Sequence, residues 1–330
     1  MKKNEIFKRL IPVLAALVLV FAAATACAER EEFILGEDSG GVFKPLPINL
    51  DGGYKLSKDY KYSGNLMVYE DPTIRVERFR IDRGANRPEW PVNCAYAIIE
   101  IKDPSQIRTA SADEANPFRS SATKVARAIA KLKNAVFAVN GDYCAAFSGS
   151  KSTNYILRQG TVYSESVEPS LDMLLIDEDG DFHILTADED LAAIDKTMID
   201  GKRVINAFQF GPALVIDGEP VPDEIIMNPD RSPTYAKPGA GEIRLCIAQI
   251  DKLKYLVATC YGWGQELNNF RDMVMTLAPI KTAYTLDGGL SASLVFLNNK
   301  FNNVQGGSER PITDIIYFAS AWDMSGTDGK

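Results

Sequence analysis

Histidine is almost absent from this sequence, and that absence removes whole classes of active site. The only histidine among the 330 residues is His183. A Ser-His-Asp or Cys-His triad needs a histidine as its base, and a histidine-rich metal site needs several. His183 lies in an ordinary strand pattern beside an acidic turn, so we assign it no catalytic role. Acid-base chemistry must therefore fall to carboxylates, tyrosines or lysines.

Lysine and arginine form no cluster beyond the extreme N-terminus, and the formal net charge is -8. Binding to nucleic acid needs clustered basic side chains that neutralise phosphates. We therefore predict no nucleic-acid partner. Hydrophobic residues make up 46% of the chain and charged residues 24%, which is typical of a globular protein.

The N-terminus carries a long apolar run, at residues 10–26, preceded by four basic residues and followed by small ones. This order is that of a secretory signal, which we place at residues 1–28. Cleavage after an Ala-x-Ala pattern would give a soluble exported protein, whereas lipidation of Cys27 would anchor it to a membrane. An uncleaved anchor is the third alternative, although a comfortable span needs about 20 apolar residues. All three predict a secreted or cell-surface protein whose membrane contact is limited to this signal or its lipid.

Cysteine is scarce, with five in the chain. Without Cys27, the remaining four are Cys94, Cys144, Cys246 and Cys260. Four cysteines in an exported protein allow two disulfides, while their wide spacing fits no metal-ligand pattern. Cys246 and Cys260 lie in two apolar runs joined by a turn. They therefore either pair across a hairpin or serve as small buried hydrophobic residues.

The chain divides by composition into an N-terminal arm and one larger domain. Residues 29–64 are polar and rich in Gly, Pro, Asp and Glu, which predicts a linker or weakly ordered arm. The domain is expected at residues 65–322, followed by a tail at 323–330.

Short apolar runs separated by turn signals dominate this domain. Apolar spacing predicts helices at residues 121–133 and 268–277, the second ended by Pro279. We expect strands at residues 73–81, 94–101, 135–139, 173–176, 182–185, 213–216, 244–250, 253–260, 283–286, 293–297 and 312–318. Strands outnumber helices and pair locally. The predicted fold class is therefore α+β, a strand-rich mixed sheet core with a few flanking helices.

Three turns place polar side chains at the ends of apolar runs. Asn140 and Asp142 follow the first run, and Asp287 follows the second, ahead of two glycines and Ser291. Arg310 precedes the last strand and offers a guanidinium suited to bidentate phosphate contact. Each turn also has a plain structural interpretation, because Asn-Gly and Asp-Gly are common hairpin signals. Together they suggest an anion-binding site with two carboxylates.

Six segments resemble the phosphodiester glycosidase family and keep its order, over residues 133–319. Val-Asn-Gly-Asp-Tyr is similar to its Asn-Gly-x-aromatic motif, Phe-Gly-Pro-Ala-Leu-Val to its Phe-Gly-Pro segment, and Leu-Asp-Gly-Gly-Leu-Ser to Leu-Asp-Gly-Gly-Gly-Ser. The segments are residues 139–143, 155–163, 208–215, 244–249, 286–291 and 309–314. The ordered series is more specific than any one match.

The resemblance implies hydrolysis of the bond between sugar C1 and the phosphate oxygen of a sugar phosphodiester. It implies catalytic roles for Asp287, Asp142 and Asn140. It implies substrate-binding roles for Arg244, Arg310, Gly288, Gly289, Ser291, Arg158, Gly211 and Gln249. The partner implied is thus a sugar phosphodiester or glycan, and no protein partner is predicted.

Within that reaction, Arg244 and Arg310 would hold the phosphate, assisted by the amides of the two glycines that follow Asp287. Either Asp287 or Asp142 would act as the base for water or as the nucleophile. No cofactor or metal is predicted. A divalent cation that bridges phosphate and carboxylate would need a ligand cluster, which the sequence does not show.

Three residues depart from the family pattern: Leu245 replaces a threonine, Ala248 a glycine, and Leu290 the third glycine of the Asp-Gly-Gly-Gly run. Leu290 puts a side chain where close backbone approach is expected. These departures favour an alternative, a non-catalytic protein that binds surface glycan or assists exopolysaccharide assembly through the same cleft.

Overall fold

Short antiparallel strands, grouped in three sheets, form the framework of the described chain. The computed structural model describes residues 58–59, 66–81, 93–141, 154–233, 237–261, 264–302 and 309–321. Predicted features at the signal, most of the arm, Cys27, Asp142, Cys144 and the tail lie outside these residues.

The largest sheet has nine strands. Their spatial order is β1 (Lys58–Asp59), β2 (Leu66–Glu70), β3 (Ile74–Ile81), β4 (Asn93–Ile101), β16 (Lys254–Tyr261), β15 (Leu245–Asp251), β17 (Thr282–Leu286), β13 (Ala213–Ile216) and β14 (Glu219–Pro220). β1 falls within the predicted arm and pairs with β2. The arm therefore contributes an edge strand to this sheet.

Two smaller sheets complete the strand framework. The six-stranded sheet has the order β10 (Phe182–Leu185), β9 (Met173–Asp177), β12 (Lys202–Phe208), β7 (Ile156–Arg158) and β8 (Thr161–Ser164), with β11 (Met198–Ile199) paired to β12. The five-stranded sheet has the order β19 (Asn299–Lys300), β18 (Leu294–Phe296), β6 (Phe137–Asn140), β20 (Asp314–Phe318) and β5 (Ile107–Ser111).

Helices are few in the described residues. They are α1 (Ala126–Leu132), α2 (Asp223–Ile226) and α3 (Leu267–Leu277), with 3-10 turns at Pro104–Gln106, Pro229–Arg231 and Gly289–Ser291. Among the described residues, no helix is both long and apolar enough to cross a membrane.

The sheet core is antiparallel, so the predicted mixed sheet is wrong. Every strand pairing that the structure describes is antiparallel. With so little helix, the fold is mostly β, and α+β describes it only loosely. The prediction of a strand-rich core is confirmed.

Both faces of the inner strands are buried, which explains their continuous apolar runs. In β9, Leu174 and Ile176 face the main core, which gathers residues from all three sheets and α3. Met173 and Leu175 face a second cluster on the other side of the six-stranded sheet. Successive side chains of a strand point to opposite faces of the sheet. A strand that is buried on both faces therefore needs apolar residues throughout.

Helix α1 is shorter than the predicted 121–133 because its start is set by a distant side chain. Lys124 forms an isolated antiparallel bridge with Ile312 instead of continuing the helix. The Ala126 N–H then donates to Glu309 Oε1 at 3.1 Å. A carboxylate at this end satisfies an unpaired amide and suits the helix dipole.

The cysteines of the main core are free thiols, so a Cys246–Cys260 disulfide is not present. Cys246 lies opposite Ala258, and Cys260 lies opposite Cys94 on β4. The Cys260 Sγ instead accepts a hydrogen bond from the Arg244 N–H at 3.1 Å. Burial raises the pKa of the Cys260 thiol to about 11. The interpretation as small buried residues is correct for Cys246 and Cys260.

An acidic turn joins β9 to β10 as the sequence predicts, and it is organised around Asp177. Oδ1 of this buried side chain accepts from the N–H groups of Asp179 and Asp181 at 2.9 Å each. Its Oδ2 lies 3.0 Å from His183 Nε2 and 3.5 Å from Lys202 Nζ. Burial acts to raise the pKa of Asp177, but the hydrogen bonds and the Lys202 charge outweigh it and lower that pKa below 3.8.

Asp177→Asn should destabilise the fold mainly at neutral pH. The folded pKa lies below the ordinary value of 3.8, so the stabilisation is complete above that value and is lost as pH falls through the folded pKa. We expect a loss of about 1.5–3 kcal/mol at neutral pH, since hydrogen bonds to a charged acceptor are weakened. Urea unfolding across the acidic range measures it, with the exposed Glu219→Gln as control. A difference that does not shrink below about pH 4 would contradict this account.

Candidate active site

Strand ends of the nine-stranded sheet bring several motif residues to one edge. Leu245 of β15 lies opposite Leu286 of β17, so Arg244 and Asp287, one residue beyond each, are neighbours at that edge. On the other side of β17, the Thr285 N–H donates to the Pro212 carbonyl at 3.3 Å. Three motifs that are distant in sequence therefore meet here.

Asn140, at the end of β6, ties the five-stranded sheet to this edge. Its Nδ2 donates to the Asp287 carbonyl at 2.7 Å and to the Gly141 carbonyl at 3.1 Å. Its Oδ1 accepts from the Ser293 N–H at 3.0 Å. The residue is 1% exposed, and its side-chain amide makes these hydrogen bonds to the main chain around Asp287.

The Asp287 turn is packed tightly against the residue before Arg244. A Cβ on Gly288 would lie 2.2 Å from the Ile243 carbonyl oxygen, so only glycine fits there. The Gly289 N–H donates to the same oxygen at 2.8 Å. This amide is therefore engaged within the protein, contrary to the expectation that it assists a bound phosphate.

Arg310 approaches this turn from the strand connection before β20. Its Nη1 lies 3.4 Å from Ser291 Oγ, and its main-chain N–H donates to the Leu290 carbonyl at 3.3 Å. The preceding Glu309 is fixed by its bond to α1. Arg310 is partly exposed, whereas Ser291 is 1% exposed. Asp287, Ser291 and Arg310 are thus assembled around one turn.

Arg244 lies at the same edge, but its guanidinium is used to build a loop. Nε donates to the Gln265 carbonyl at 2.9 Å, and Nη2 donates at 2.6 to 3.1 Å to the carbonyls of Lys237, Pro238 and Ala240. Nη1 lies 3.9 Å from Glu242 Oε2. Burial lowers the pKa of Arg244. These contacts fit a structural role better than the expected phosphate contact.

Gln249 does not join the site. It lies five residues along β15 from Arg244, which is about 17 Å at the usual strand rise. There its Nε2 donates to Asp181 Oδ1 at 2.9 Å, and its Oε1 accepts from the Phe182 N–H at 2.9 Å. It supports the acidic turn instead.

Gly211 has a backbone role beside the site. Its φ of 67° is in the left-handed region, and a Cβ there would lie 3.2 Å from the Asp172 main-chain nitrogen. The Asp172 carboxylate in turn accepts from the Ala213 N–H at 2.9 Å, and burial raises the pKa of Asp172. The Gly-Pro segment is therefore fixed next to β17.

Arg158 is wholly buried and pairs with Asp314, a residue that the sequence analysis did not single out. Both Nε and Nη2 lie 3.4 Å from Asp314 Oδ2. Asp314 closes the last motif segment, so position within the motif is the one signal that pointed to it. Among the described residues, no group of three or more His, Cys, Asp or Glu could hold a metal ion.

Comparison with known proteins bears on this arrangement. The family model described as phosphodiester glycosidase matches residues 133–319, more than half of the chain. The chain belongs to the phosphodiester glycosidase family. The match contains Asn140, Arg244, Asp287 and Arg310. No curated protein matches the chain.

Two solved structures share its fold. The zebrafish N-acetylglucosamine-1-phosphodiester alpha-N-acetylglucosaminidase catalytic domain, auto-inhibited by its pro-peptide, has 16% identity and a TM-score of 0.60, covering 81% of this chain and 88% of that one. A hypothetical protein from Synechocystis has 13% identity and a TM-score of 0.53, covering 75% and 62%. At these identities the similarity establishes the fold.

Gly288→Ala should destabilise this phosphodiester glycosidase fold through the Asp287 turn. The added Cβ meets a main-chain carbonyl oxygen at 2.2 Å, which cannot move without shifting β15. We expect a loss of roughly 1–3 kcal/mol, as for other overpacked sites. Gly241→Ala is the matched control, because its nearest neighbour would lie at 3.8 Å. Equal denaturation midpoints for the two variants would show that the turn has more room than its geometry indicates.

Proposed function

We propose that this protein is an extracytoplasmic hydrolase of the sugar phosphodiesters found in cell-surface glycans or exopolysaccharide. The observation that carries the proposal is the assembly of Asp287, Ser291 and Arg310 around one turn, within the region that matches the family model. The Asp287 carboxylate and the Arg310 guanidinium are the two groups that such a reaction needs, one for water and one for phosphate.

Arg310 is the phosphate-binding residue in this proposal. Arg310 is partly exposed and its Nη1 lies 3.4 Å from the buried Ser291 hydroxyl, so the guanidinium is oriented at the turn and can donate to phosphate oxygens. Guanidinium groups bind phosphate through paired hydrogen bonds and stay charged at any physiological pH. The site therefore selects a substrate with a negative charge next to the sugar.

In the reaction, a water oxygen forms a bond to sugar C1 while the bond from C1 to the phosphate oxygen breaks. The bonding pair leaves with the phosphate, giving a phosphomonoester that Arg310 neutralises. Asp287 accepts the proton from water, or attacks C1 first and is released by water in a second step. Phosphate is a good leaving group, so the reaction places little demand on a general acid. This agrees with a chain that has a single histidine.

The place of Asp287 depends on groups that do not themselves touch the sugar. Asn140 holds the Asp287 carbonyl from one side, and the close packing of Gly288 on Ile243 fixes the other. A carboxylate on such a rigid turn needs little reorganisation during the reaction, which is the property that favours catalysis.

One observation favours the alternative of glycan binding without turnover. Leu290, which stands where the family pattern has glycine, is 38% exposed in the turn between Gly289 and Ser291. An exposed isobutyl group next to Arg310 restricts how closely a sugar phosphodiester can approach the turn. This restriction would disturb the alignment of sugar C1 with the attacking water more than it would weaken substrate binding.

Asp287→Ala should abolish most hydrolysis without preventing folding. Loss of a base or nucleophile is expected to reduce kcat by about 10²–10⁴-fold, while KM changes little. A panel of sugar-1-phosphodiesters, followed by release of reducing sugar, measures this. Asp190→Ala is the control, because Asp190 is an exposed aspartate outside the site. Wild-type protein that binds the panel saturably without turnover would overturn the hydrolase in favour of the binding protein.

Leu290→Gly should broaden the range of sugar-1-phosphodiesters that the protein hydrolyses. The comparison uses sugar-1-phosphodiesters whose second ester group is either bulky or methyl. Removing the exposed isobutyl group is expected to raise kcat/KM for the bulky substrates by roughly 10-fold relative to the methyl one, the size of effect seen for small changes in pocket volume. Met198→Ala, at another exposed apolar residue, is the control. An unchanged ratio between bulky and methyl esters would show that Leu290 does not border the substrate.

A further inference from the structure

A buried ion pair joins the six-stranded sheet to the five-stranded sheet. Arg158 is 0% exposed and Asp314 is 1% exposed. Asp314 Oδ2 lies 3.4 Å from both Nε and Nη2 of Arg158. The remaining guanidinium nitrogen, Nη1, donates to the carbonyls of Leu157 and Ala207.

Stability alone does not account for this pair. Moving both charges out of water is costly, and apolar residues of similar volume in place of a buried pair are often as stable or more so. The 3.4 Å contacts are also longer than strong charge-assisted hydrogen bonds. A role in positioning neighbouring segments explains two buried charges better than stability does.

The guanidinium is held rigidly on its own side. It stacks over the Phe208 ring, with 4.1 Å between Cζ and the ring centroid. Phe208 ends β12, the strand next to β7 in the six-stranded sheet. Arg158 therefore presents a fixed charge to the neighbouring sheet.

On the other side, Asp314 lies directly against Gly141, the residue that follows β6. The Gly141 N–H donates to the Asp314 carbonyl at 3.1 Å. A Cβ on Gly141 would lie 2.5 to 2.6 Å from the two Asp314 carboxylate oxygens, so the carboxylate packs on the bare Cα. Ile315 pairs with Asn140 in the ladder. The position of Asp314 thereby determines the position of residues 140 and 141.

Asn140 connects this segment to the candidate active site. Asn140 Nδ2 donates to the Asp287 carbonyl at 2.7 Å. We propose that Arg158 and Asp314 form a positioning pair, which sets the Asn140–Gly141 segment and through it the Asp287 carboxylate. Arg158 in this account does not touch substrate, although the family resemblance implies that it does. The effect on catalysis rests on the proposed hydrolase function.

The experiment compares Arg158→Met, Asp314→Asn and the double variant with wild type. Arg158→Met alone removes the cation of the pair and leaves the Asp314 carboxylate buried, so it is expected to lose stability or fail to fold. The double variant removes both charges and should recover much of the thermal midpoint. Its kcat for the best phosphodiester is nevertheless expected to stay about 10–100-fold below wild type, with KM within about 2-fold, because misplaced catalytic groups lower the rate more than binding.

Two controls separate positioning from general damage. Arg75→Met with Glu77→Gln removes a more exposed ion pair on β3 and should leave kcat unchanged. Arg158→Lys keeps the charge without the planar fork and should restore part of kcat. A stable double variant with wild-type kcat would overturn the proposal. So would a raised KM at unchanged kcat, which would place Arg158 on the substrate.

A second measurement keeps the inference testable if the hydrolase proposal fails. Hydrogen exchange of peptides that contain the Gly141 amide reports on the Asn140–Gly141 segment without any substrate. Faster exchange there in the double variant, with the other strands of the five-stranded sheet unchanged, would support positioning by the pair. Unchanged exchange would overturn it, whereas absent turnover in wild-type protein would count against the hydrolase alone.

Discussion

The candidate active site depends on one side-chain amide, that of Asn140, which bridges two sheets. It donates to the Asp287 carbonyl and accepts from the Ser293 N–H, so the end of β6 is fixed to the segment between β17 and β18. A buried amide must find partners for all its polar atoms, and these partners are main-chain groups. The orientation of the whole Asp287 turn follows from this constraint.

Many motif residues of the family act on the main chain in this protein. Arg244 binds loop carbonyls, Glu309 caps the start of α1, and Gly288 allows two segments to touch. Fewer are placed where a substrate could reach them, among them Arg310. A motif that is specific for a family therefore encodes a scaffold as well as a reaction.

Local pattern predicted most elements of this fold. The second predicted helix, 268–277, agrees with α3 to within one residue, and the hairpin around the acidic turn is present as expected. The predicted start of α1 was wrong because the residue that caps this helix, Glu309, lies 183 residues away in the sequence. The expectation of a mixed sheet was also wrong, since apolar runs buried on both faces occur in parallel and antiparallel sheets alike.

The sequence by itself determined which chemistry is available: one histidine, carboxylates and arginines at turns, and an ordered series of family segments. Only the tertiary structure decided which of these side chains meet. It brought Asn140 to Asp287 across 147 residues, placed Gln249 at the far end of β15, and buried Arg158 against Asp314. Residue type and spacing fix local conformation, whereas contacts between distant residues depend on strand register, which is set by how the sheets pack together.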